Sequence, residues 1–485
     1  MIEFFLPLRS LPLPLPILGK GRGMNSNWFL LHLIPFLLTG CSIAEQIRLT
    51  SPSKTRMDFP AQLTDTLSIS SASKPAHTAA DTYTVNPTEE SSAEILSEII
   101  AALSEDDSRN FLVLVHPRLW SGLAEELAVL EADIRNENWA PVVSRLPADS
   151  PEDLRQALQS IYSQKRFAGI FLIGDFPYTR MWGYAIENPD QPGATDYFYM
   201  DLDGEWLDAN GDGFYDLHSD GQGDRQPEVF VGRLNAGNVY TLNQSELEMM
   251  KSYLHRDHAY RTGGSATSNA ALYSTYAHTL YGWVGAENAE WTKVEILQSI
   301  QVLFPDTYAF IFDETVDPED SGKWTAEFWK ADDPNRKSVA PARERFQEIM
   351  GEGYDYLSIG IHGTPEAWGP EFFTNLDVKT AYDSKRQLPV FIFSASCSTG
   401  NISTPDSMGS ILTMAGSLVF VGFSAPSEMR WKEFVSWNQS LAGSPVGTAF
   451  MEVQEEATPG GSGAVTRNVN WILLGDPTLK MRTGE

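Results

Sequence analysis

Two side chains of complementary chemistry, His362 and Cys397, each follow directly on a short apolar run. An imidazole beside a thiol lowers the pKa of the thiol or takes its proton, which produces a nucleophilic thiolate. Gly363 lets a substrate backbone approach closely, and its N–H together with that of Cys397 is suited to form an oxyanion hole. The alternative interpretation is a buried structural cysteine and a histidine whose ring nitrogens bond within the core.

The two apolar runs predict neighbouring strands that bring these side chains together. Residues 356–361 and 389–396 are β-rich and bounded by Gly and Pro, which is typical of buried strands in a parallel sheet. The stretch 373–384 between them is long enough for the crossover helix that a parallel pair requires. Because ligands gather beyond the carboxyl ends of such strands, we expect His362 and Cys397 side by side at that edge.

A similar pattern of caps and apolar runs extends along most of the chain. Helices are predicted to begin at Ser91, which forms a capping box with Glu94, and at Ser150, which precedes Pro151. Another helix is predicted over 242–258, and strands are predicted at or near 111–115, 169–173, 229–231, 271, 309–312, 357, 391 and 417–421. This βαβ rhythm predicts an α/β fold of two side-by-side units with mostly parallel sheets flanked by helices.

Composition divides the chain into four regions. Residues 1–41 are interpreted as a lipoprotein signal peptide with a non-native start extension. Residues 42–90, rich in Ser, Thr, Ala and Pro, are interpreted as a flexible tether, with a short propeptide as the alternative. An N-terminal α/β unit with acidic loops is predicted over 91–235, and the candidate catalytic α/β unit over 236–485.

The sequence LTGC at 38–41 follows an apolar run over 28–38 and is typical of the lipobox of a bacterial lipoprotein. It predicts acylation of Cys41 and a membrane-anchored, extracytoplasmic protein, either periplasmic or at the cell surface. A transmembrane helix is the alternative, although the run is short for one. Met1 and Met24 both remain possible starts.

The chain has 485 residues and a strong acidic excess, with 64 Asp and Glu against 35 Lys and Arg and a formal net charge of −29. This balance argues against a nucleic-acid partner, which calls for basic patches. The two cysteines, Cys41 and Cys397, either form one disulfide or have unrelated functions. Acylation of Cys41 would exclude that disulfide, and a lone thiol in an exported protein indicates a chemical role.

An acidic stretch predicts a structural calcium site. Positions 1, 3, 5 and 9 of a calcium-type loop carry oxygen ligands: Asp208, Asn210, Asp212 and Asp216. Gly213 matches the glycine of such loops, whereas position 12 is Ser219 in place of a bidentate Glu, so the EF-hand pattern is incomplete. A surface loop built on Asx turns is the alternative. We expect Ca²⁺ here, with no organic cofactor.

Five segments around both reactive residues and elsewhere in the chain form a recognisable set: HGTPEAWG at 362–369, QLPVFIF at 387–393, ASC at 395–397, PEVFVGR at 227–233 and GDPTL at 475–479. Together they resemble the gingipain-type cysteine peptidases, which are related to caspases and legumains. The resemblance implies a caspase-like fold and a cysteine endopeptidase that acts on proteins or peptides. Cys397 would be the nucleophile and His362 the general base and acid, with a thioester acyl-enzyme as the intermediate.

The resemblance also implies a specificity pocket. By its distance from residues 228–230, Asp224 matches the aspartate that receives a basic P1 side chain in Arg-specific gingipains. The indole that caps this pocket in the family falls at Met429, with Trp431 two positions further on. A further calcium or loop aspartate is the alternative interpretation of Asp224.

A calcium-stabilised binding or adhesion lipoprotein on an inactive peptidase scaffold is the competing hypothesis. The presence of both His362 and Cys397 favours the enzyme. Rapid alkylation of Cys397 at neutral pH would support catalysis, and an inert thiol would support the binding protein.

Overall fold

The computed structural model describes residues 91–105, 109–182, 192–264, 268–276, 286–313, 324–333, 335–369, 372–426, 431–457 and 469–483. The predicted signal peptide and tether, including Cys41, lie outside these ranges, and so does Met429.

Nineteen strands are present in the described ranges: β1 (Asn110–Val115), β2 (Ala140–Arg145), β3 (Gly169–Ile173), β4 (Thr179–Met181), β5 (Gly193–Thr195), β6 (Glu205–Leu207), β7 (Leu217–Ser219), β8 (Phe230–Leu234), β9 (Ala270–Tyr276), β10 (Asp306–Asp313), β11 (Thr325–Lys330), β12 (Lys337–Val339), β13 (Tyr356–Gly360), β14 (Gly363–Thr364), β15 (Ala367–Trp368), β16 (Phe373–Thr374), β17 (Phe391–Ser394), β18 (Val419–Phe423) and β19 (Trp471–Gly475).

The helices in these ranges are α1 (Ser92–Ala102), α2 (Pro117–Trp120), α3 (Ala124–Asn136), α4 (Pro151–Tyr162), α5 (Tyr197–Met200), α6 (Glu246–Arg261), α7 (Ala286–Leu303), α8 (Ala342–Ile349), α9 (Asn375–Asp383), α10 (Met408–Ala415), α11 (Trp431–Ser440) and α12 (Val446–Ala457).

Twelve of the strands form one sheet in the order β12-β11-β10-β9-β13-β17-β18-β19-β8-β3-β1-β2. Pairing is parallel from β10 to β18 and from β8 to β2, and antiparallel at β10–β11–β12 and β18–β19. Strands β1, β3, β8, β18 and β19 are buried at every position, because helices cover both faces of a mostly parallel sheet. The predicted α/β fold class is confirmed.

Local sequence explains where the first helices begin. The Ser91 hydroxyl accepts from the Glu94 N–H while the Glu94 carboxylate accepts from the Ser91 N–H, which is the predicted capping box of α1. Ser150 caps α4 in front of Pro151, whose fixed φ suits the first helical turn. The buried side chains of α4 recur at helical spacing, so the helix is held by its apolar face.

Several elements differ from the sequence-based expectation, among them helix α6 and strands β2 and β19. Helix α6 begins at Glu246 and not at residue 242, because Ser245 forms its own capping box with Glu248. Strand β2 was not predicted, since it is a half-buried edge strand with Pro141 in its second position. Strand β19 was not predicted, since only its last residue, Gly475, belongs to a segment singled out in the sequence, yet it is a fully buried antiparallel strand beside β18.

No helix in the described part of the chain combines the length and the apolar content needed to cross a lipid bilayer.

Candidate active site

Strands β13 and β17 are parallel neighbours, and their pairing ends with Ile359 opposite Ser394. His362 follows the end of β13, and Cys397 follows the end of β17. The carboxyl ends of adjacent parallel strands lie at one sheet edge, which is where active-site groups of α/β proteins gather. The strand arrangement predicted from the sequence is therefore present, and it delivers both segments to the same edge.

The backbones of the two segments are in contact at Gly363. A Cβ atom placed on Gly363 would lie 2.5 Å from the carbonyl oxygen of Cys397 and 2.9 Å from side-chain carbons of Ser396 and Thr399. Carbon atoms do not approach so closely without displacement, so a residue with a side chain would force the segments apart. Glycine is required here for close approach and not for an unusual φ.

His362 opens a small antiparallel sheet formed by β14, β15 and β16. Its carbonyl oxygen accepts from the Gly369 N–H at 2.6 Å, and Gly363 pairs with Trp368 across the hairpin. His362 is exposed, whereas Cys397 is half-buried. An exposed imidazole and a partly shielded thiol at one sheet edge are suited to exchange protons with a substrate and with water.

The segment after Cys397 has an unusual backbone conformation. Ser398 has a φ of 58°, a region that residues other than glycine rarely adopt and that costs about 1–3 kcal/mol. Its N–H donates to the Ala425 carbonyl at 3.1 Å, and the Gly400 N–H donates to the Phe423 carbonyl at 2.7 Å. These bonds to the end of β18 hold the strained turn in place.

Beneath the two segments lies a chain of buried polar groups. Trp368 Nε1 donates to Ser394 Oγ at 3.0 Å, and Ser394 Oγ lies 2.9 Å from Thr399 Oγ1. Thr399 Oγ1 in turn donates to the Ser396 carbonyl oxygen at 3.0 Å. All four residues are at most 1% exposed. We call these groups the hydroxyl chain; sequence reasoning did not find it, because no local pattern marks serines and threonines that will meet after folding.

Two further bonds hold the histidine segment, one to the cysteine segment and one to the start of helix α10. The Ile361 N–H donates to Ser396 Oγ at 3.3 Å, and the Met408 N–H donates to the Pro365 carbonyl at 2.7 Å. The histidine segment is therefore fixed both to the cysteine segment and to helix α10, and it cannot move by itself without breaking these hydrogen bonds.

Residues 194–196, from the stretch predicted as an N-terminal unit, lie beside this edge. The Ser424 hydroxyl donates to the Ala194 carbonyl, and the Thr195 hydroxyl donates to the Val469 carbonyl. Next in the chain, Asp196 forms a buried ion pair with Arg233. Burial alone would lower the pKa of Arg233, but the charge and hydrogen bond of Asp196, together with the nearby Tyr199 and Asp175, raise that pKa overall.

The predicted calcium loop spans the turn of the β6–β7 hairpin, which we call the acidic hairpin (205–219). The Asp208 carboxylate accepts from the N–H groups of Gly211 and Gly213 at 2.7 and 2.9 Å. These backbone bonds, chiefly the one from Gly213, lower the pKa of Asp208. Asp216 accepts from the Ala209 N–H at 2.8 Å. Asn210 Oδ1 accepts from the Asp212 N–H in an Asx turn, also at 2.8 Å. The loop is thus ordered by short-range bonds, and its four side chains still carry oxygen lone pairs suited to Ca²⁺.

A second acidic cluster has carboxylate oxygens within 4.8 Å of one another: Asp201, Asp203 and Glu228. Burial raises the pKa of Glu228 to about 7; the Leu202 N–H opposes this shift, and the Asp201 and Asp203 charges add to it. Oxygen ligands of this kind suit a hard cation. Glu228 was not assigned to a cation site from the sequence, because it lies 25 positions beyond Asp203 in the chain (228 − 203).

Asp224 lies next to this cluster. Its N–H donates to Asp203 Oδ1 at 3.0 Å, and its own Oδ1 accepts from the Gln226 N–H at 2.7 Å. Its carboxylate is exposed, as a residue that receives a substrate side chain must be. Trp431 is the first residue of α11. Both assignments to a specificity pocket stay predictions.

The sequence matches a family model described as Peptidase family C25 over residues 109–482. The fold is similar to the crystal structure of the Arg-specific cysteine proteinase gingipain R, with a TM-score of 0.53 and 16% identity over 78% of this chain and 79% of that chain. It is also similar to the complex of Porphyromonas gingivalis RgpB pro- and mature domains, with a TM-score of 0.51 and 15% identity over 77% and 80% of the two chains. No curated protein matches the sequence. At such identities the structural likeness shows a shared caspase-like fold.

Proposed function

The chain belongs to peptidase family C25, and from this premise we propose that it is a cysteine endopeptidase in which Cys397 is the nucleophile and His362 the general base and acid. The observation that carries the proposal is the contact between the two segments. Gly363 packs against the Cys397 carbonyl at the carboxyl ends of adjacent parallel strands. A Cys–His pair needs this proximity between groups that are distant in sequence.

The proposed reaction runs in two steps. The Cys397 thiol gives its proton to the His362 imidazole, and the sulfur attacks the scissile carbonyl carbon to form a tetrahedral oxyanion. The N–H groups of Gly363 and Cys397 stabilise that oxyanion. Its collapse breaks the C–N bond as His362 protonates the leaving amine, which leaves a thioester. Water, deprotonated by His362, then attacks the thioester, and the acid product leaves with the thiol restored.

For specificity, we propose that Asp224 receives a basic side chain at P1, with Trp431 beside the pocket. The support is the exposed Asp224 carboxylate within a strongly acidic part of the surface. A carboxylate binds a guanidinium bidentately, so Arg is expected to be preferred over Lys. The gingipain structure that is similar in fold is described as Arg-specific.

We further propose that Ca²⁺ stabilises the acidic hairpin through Asp208, Asn210, Asp212 and Asp216. The ion would act structurally, because the loop supplies neither a nucleophile nor a base. We also propose that Cys41 is acylated and holds the enzyme at the extracytoplasmic face of a membrane, where its substrates are proteins or peptides.

The decisive experiment uses the soluble chain from residue 42 onward with a library of fluorogenic peptides. The proposal predicts hydrolysis that is lost in Cys397→Ala, and rapid alkylation of Cys397 by iodoacetamide at neutral pH. A wild-type protein that folds, cleaves no peptide and alkylates slowly would support the competing hypothesis of a calcium-stabilised binding lipoprotein.

A further inference from the structure

The proton directions in the hydroxyl chain are fixed by its two ends. The Trp368 indole nitrogen can only donate, and the Ser396 carbonyl oxygen can only accept. Thr399 donates its one proton to that carbonyl, so the bond between Thr399 and Ser394 must take its proton from Ser394. The order is therefore Trp368 N–H to Ser394 O–H to Thr399 O–H to Ser396 C=O, and bonds aligned in this way strengthen one another.

The last acceptor of the hydroxyl chain belongs to the peptide unit that contains the Cys397 N–H. This peptide bond is planar and trans, so its C=O and N–H point in opposite directions. The carbonyl is bonded to the buried hydroxyl of Thr399. The Cys397 N–H consequently points away from the Thr399 hydroxyl.

We infer that the hydroxyl chain is a positioning device for the oxyanion hole, with Trp368, Ser394 and Thr399 as positioning residues that orient the Cys397 N–H. The inference rests on the proposed function, since an oxyanion forms only if Cys397 attacks a carbonyl. Trp368 lies in the histidine hairpin and Thr399 in the cysteine segment. The bonds of the hydroxyl chain therefore set both the orientation of the Ser396–Cys397 peptide and the relative position of the histidine and cysteine segments.

The arrangement favours an orienting role over simple core packing. Hydroxyls of Ser and Thr contribute little apolar area, and replacing bonded polar partners by apolar groups of the same shape is often nearly neutral for stability. A short polar chain is nevertheless buried at one of the two peptides whose N–H groups would stabilise the oxyanion. Preorganised donors of this kind need no reorientation when charge develops in the transition state.

Substitutions at Thr399 separate the hydrogen bond from the packing. Thr399→Val keeps the shape and removes the hydroxyl, so the Ser396 carbonyl loses its donor and the peptide is released. We expect kcat to fall about tenfold to a hundredfold, short of the 10²–10³ loss seen when an oxyanion donor is removed outright. KM should change little, because the ground-state substrate carries no oxyanion. Thr399→Ser keeps the hydroxyl and should lose much less activity than Thr399→Val.

A tryptophan pair supplies the matched control. Trp368→Phe keeps most of the ring but removes the donor to Ser394, and we expect about a tenfold fall in kcat. Trp437 is 2% exposed and its Nε1 donates to the Tyr356 hydroxyl at 3.1 Å. Trp437→Phe removes a bond of similar length and burial from helix α11, and it should leave kcat within about twofold of wild type.

Alkylation by iodoacetamide completes the test, because this reaction uses the Cys397 thiolate and forms no oxyanion. Thr399→Val and Trp368→Phe should alkylate at close to the wild-type rate over the pH range while their kcat falls. Wild-type kcat in both variants, or a Thr399→Ser loss equal to that of Thr399→Val, would overturn the inference alone. A wild-type protein without Cys397-dependent hydrolysis would instead overturn the proposed function, and the inference with it.

Discussion

The sheet edge that carries His362 and Cys397, which we call the cysteine edge, and the acidic hairpin are both rich in small polar side chains. The two regions satisfy the hydrogen bonds of these groups in different ways. At the cysteine edge, Trp368 bonds to Ser394 across 26 sequence positions, inside the core. In the acidic hairpin, Asp208 bonds to backbone N–H groups three to five positions away, at the surface. The first arrangement exists only in the folded protein, and the second is built almost wholly from its own loop.

Charge explains the difference. A neutral hydroxyl can be buried at little cost once its proton and lone pairs are bonded, whereas an ionised carboxylate loses far more hydration. Hydroxyls can therefore connect distant segments through the core. Carboxylates remain where water, backbone amides or a cation can reach them. Substitutions at the cysteine edge should accordingly impair activity. Substitutions in the acidic region, by which we mean the acidic hairpin, the second acidic cluster and Asp224, should affect selectivity or stability.

The strongest test of this contrast removes the reactive groups themselves. Cys397→Ala and His362→Ala should each lower peptide cleavage by several orders of magnitude while circular dichroism stays unchanged. The double variant should be barely worse than either single one, because the two groups act as a unit. His255→Ala, at a surface histidine of α6, is the control. Near-wild-type turnover in either single variant would show that the pair is assigned wrongly.

A second test asks whether the acidic region reaches the substrate. Asp224→Asn should depress cleavage after Arg about a hundredfold or more relative to cleavage after neutral residues, because a desolvated ion pair is broken. Asp383→Asn, at an exposed aspartate of α9, should not change this ratio. If the wild-type enzyme cleaves well after neutral residues and poorly after Arg, Asp224 belongs to the acidic cluster alone.

The close contact at Gly363 gives a graded version of the first test. Gly363→Ala places a carbon 2.5 Å from the Cys397 carbonyl, so the histidine and cysteine segments must separate. A displacement of this kind should cost roughly ten- to a hundredfold in kcat, with a smaller effect on the melting temperature. In the control Gly416→Ala, the new carbon meets Leu388 at 3.4 Å or more, which is ordinary contact. Unchanged kcat in Gly363→Ala would contradict the close approach.

Calcium removal should affect stability. If the acidic hairpin binds Ca²⁺, the ion at 100 times its dissociation constant adds about 2.7 kcal/mol to the free energy of unfolding. A chelator should therefore lower the melting temperature by a few degrees, and calcium should restore it better than magnesium. Asp212→Asn should abolish the response if the ion lies in the hairpin, and Asp201→Asn if it lies in the second cluster. If excess chelator leaves the melting curve unchanged, neither site binds Ca²⁺.

The smallest expected effect is a pH dependence from Glu228. Its pKa is about 7 in the folded protein against 4.5 in the unfolded chain, so the folded state holds the proton more tightly. Stability should fall as the pH rises from about 4.5 through 7, by roughly 1 kcal/mol after allowance for solvent screening. Measured with chelator present, the melting temperature of Glu228→Gln should fall less than that of wild type between pH 5 and pH 8. Equal slopes for both proteins would contradict the shifted pKa.

Much of the fold follows from short-range signals in the sequence. Apolar runs and capping residues such as Ser91 and Ser150 locate the early helices and most strands of the parallel sheet, because period and caps are local properties. Strand β2 was missed since an edge strand needs less apolar character, and β19 because antiparallel pairing with β18 depends on a partner far away in sequence.

For the candidate site, the sequence determined which residues can react, and the tertiary structure decided what holds them. His362 and Cys397 stand out by type and by their position after apolar runs, and the loop at 208–216 is encoded by its own spacing. The hydroxyl chain from Trp368 to Ser396 and the contact of Glu228 with Asp201 and Asp203 have no local signature. Such contacts arise when folding brings distant strands together, since only then do buried polar groups find the partners that their desolvation requires.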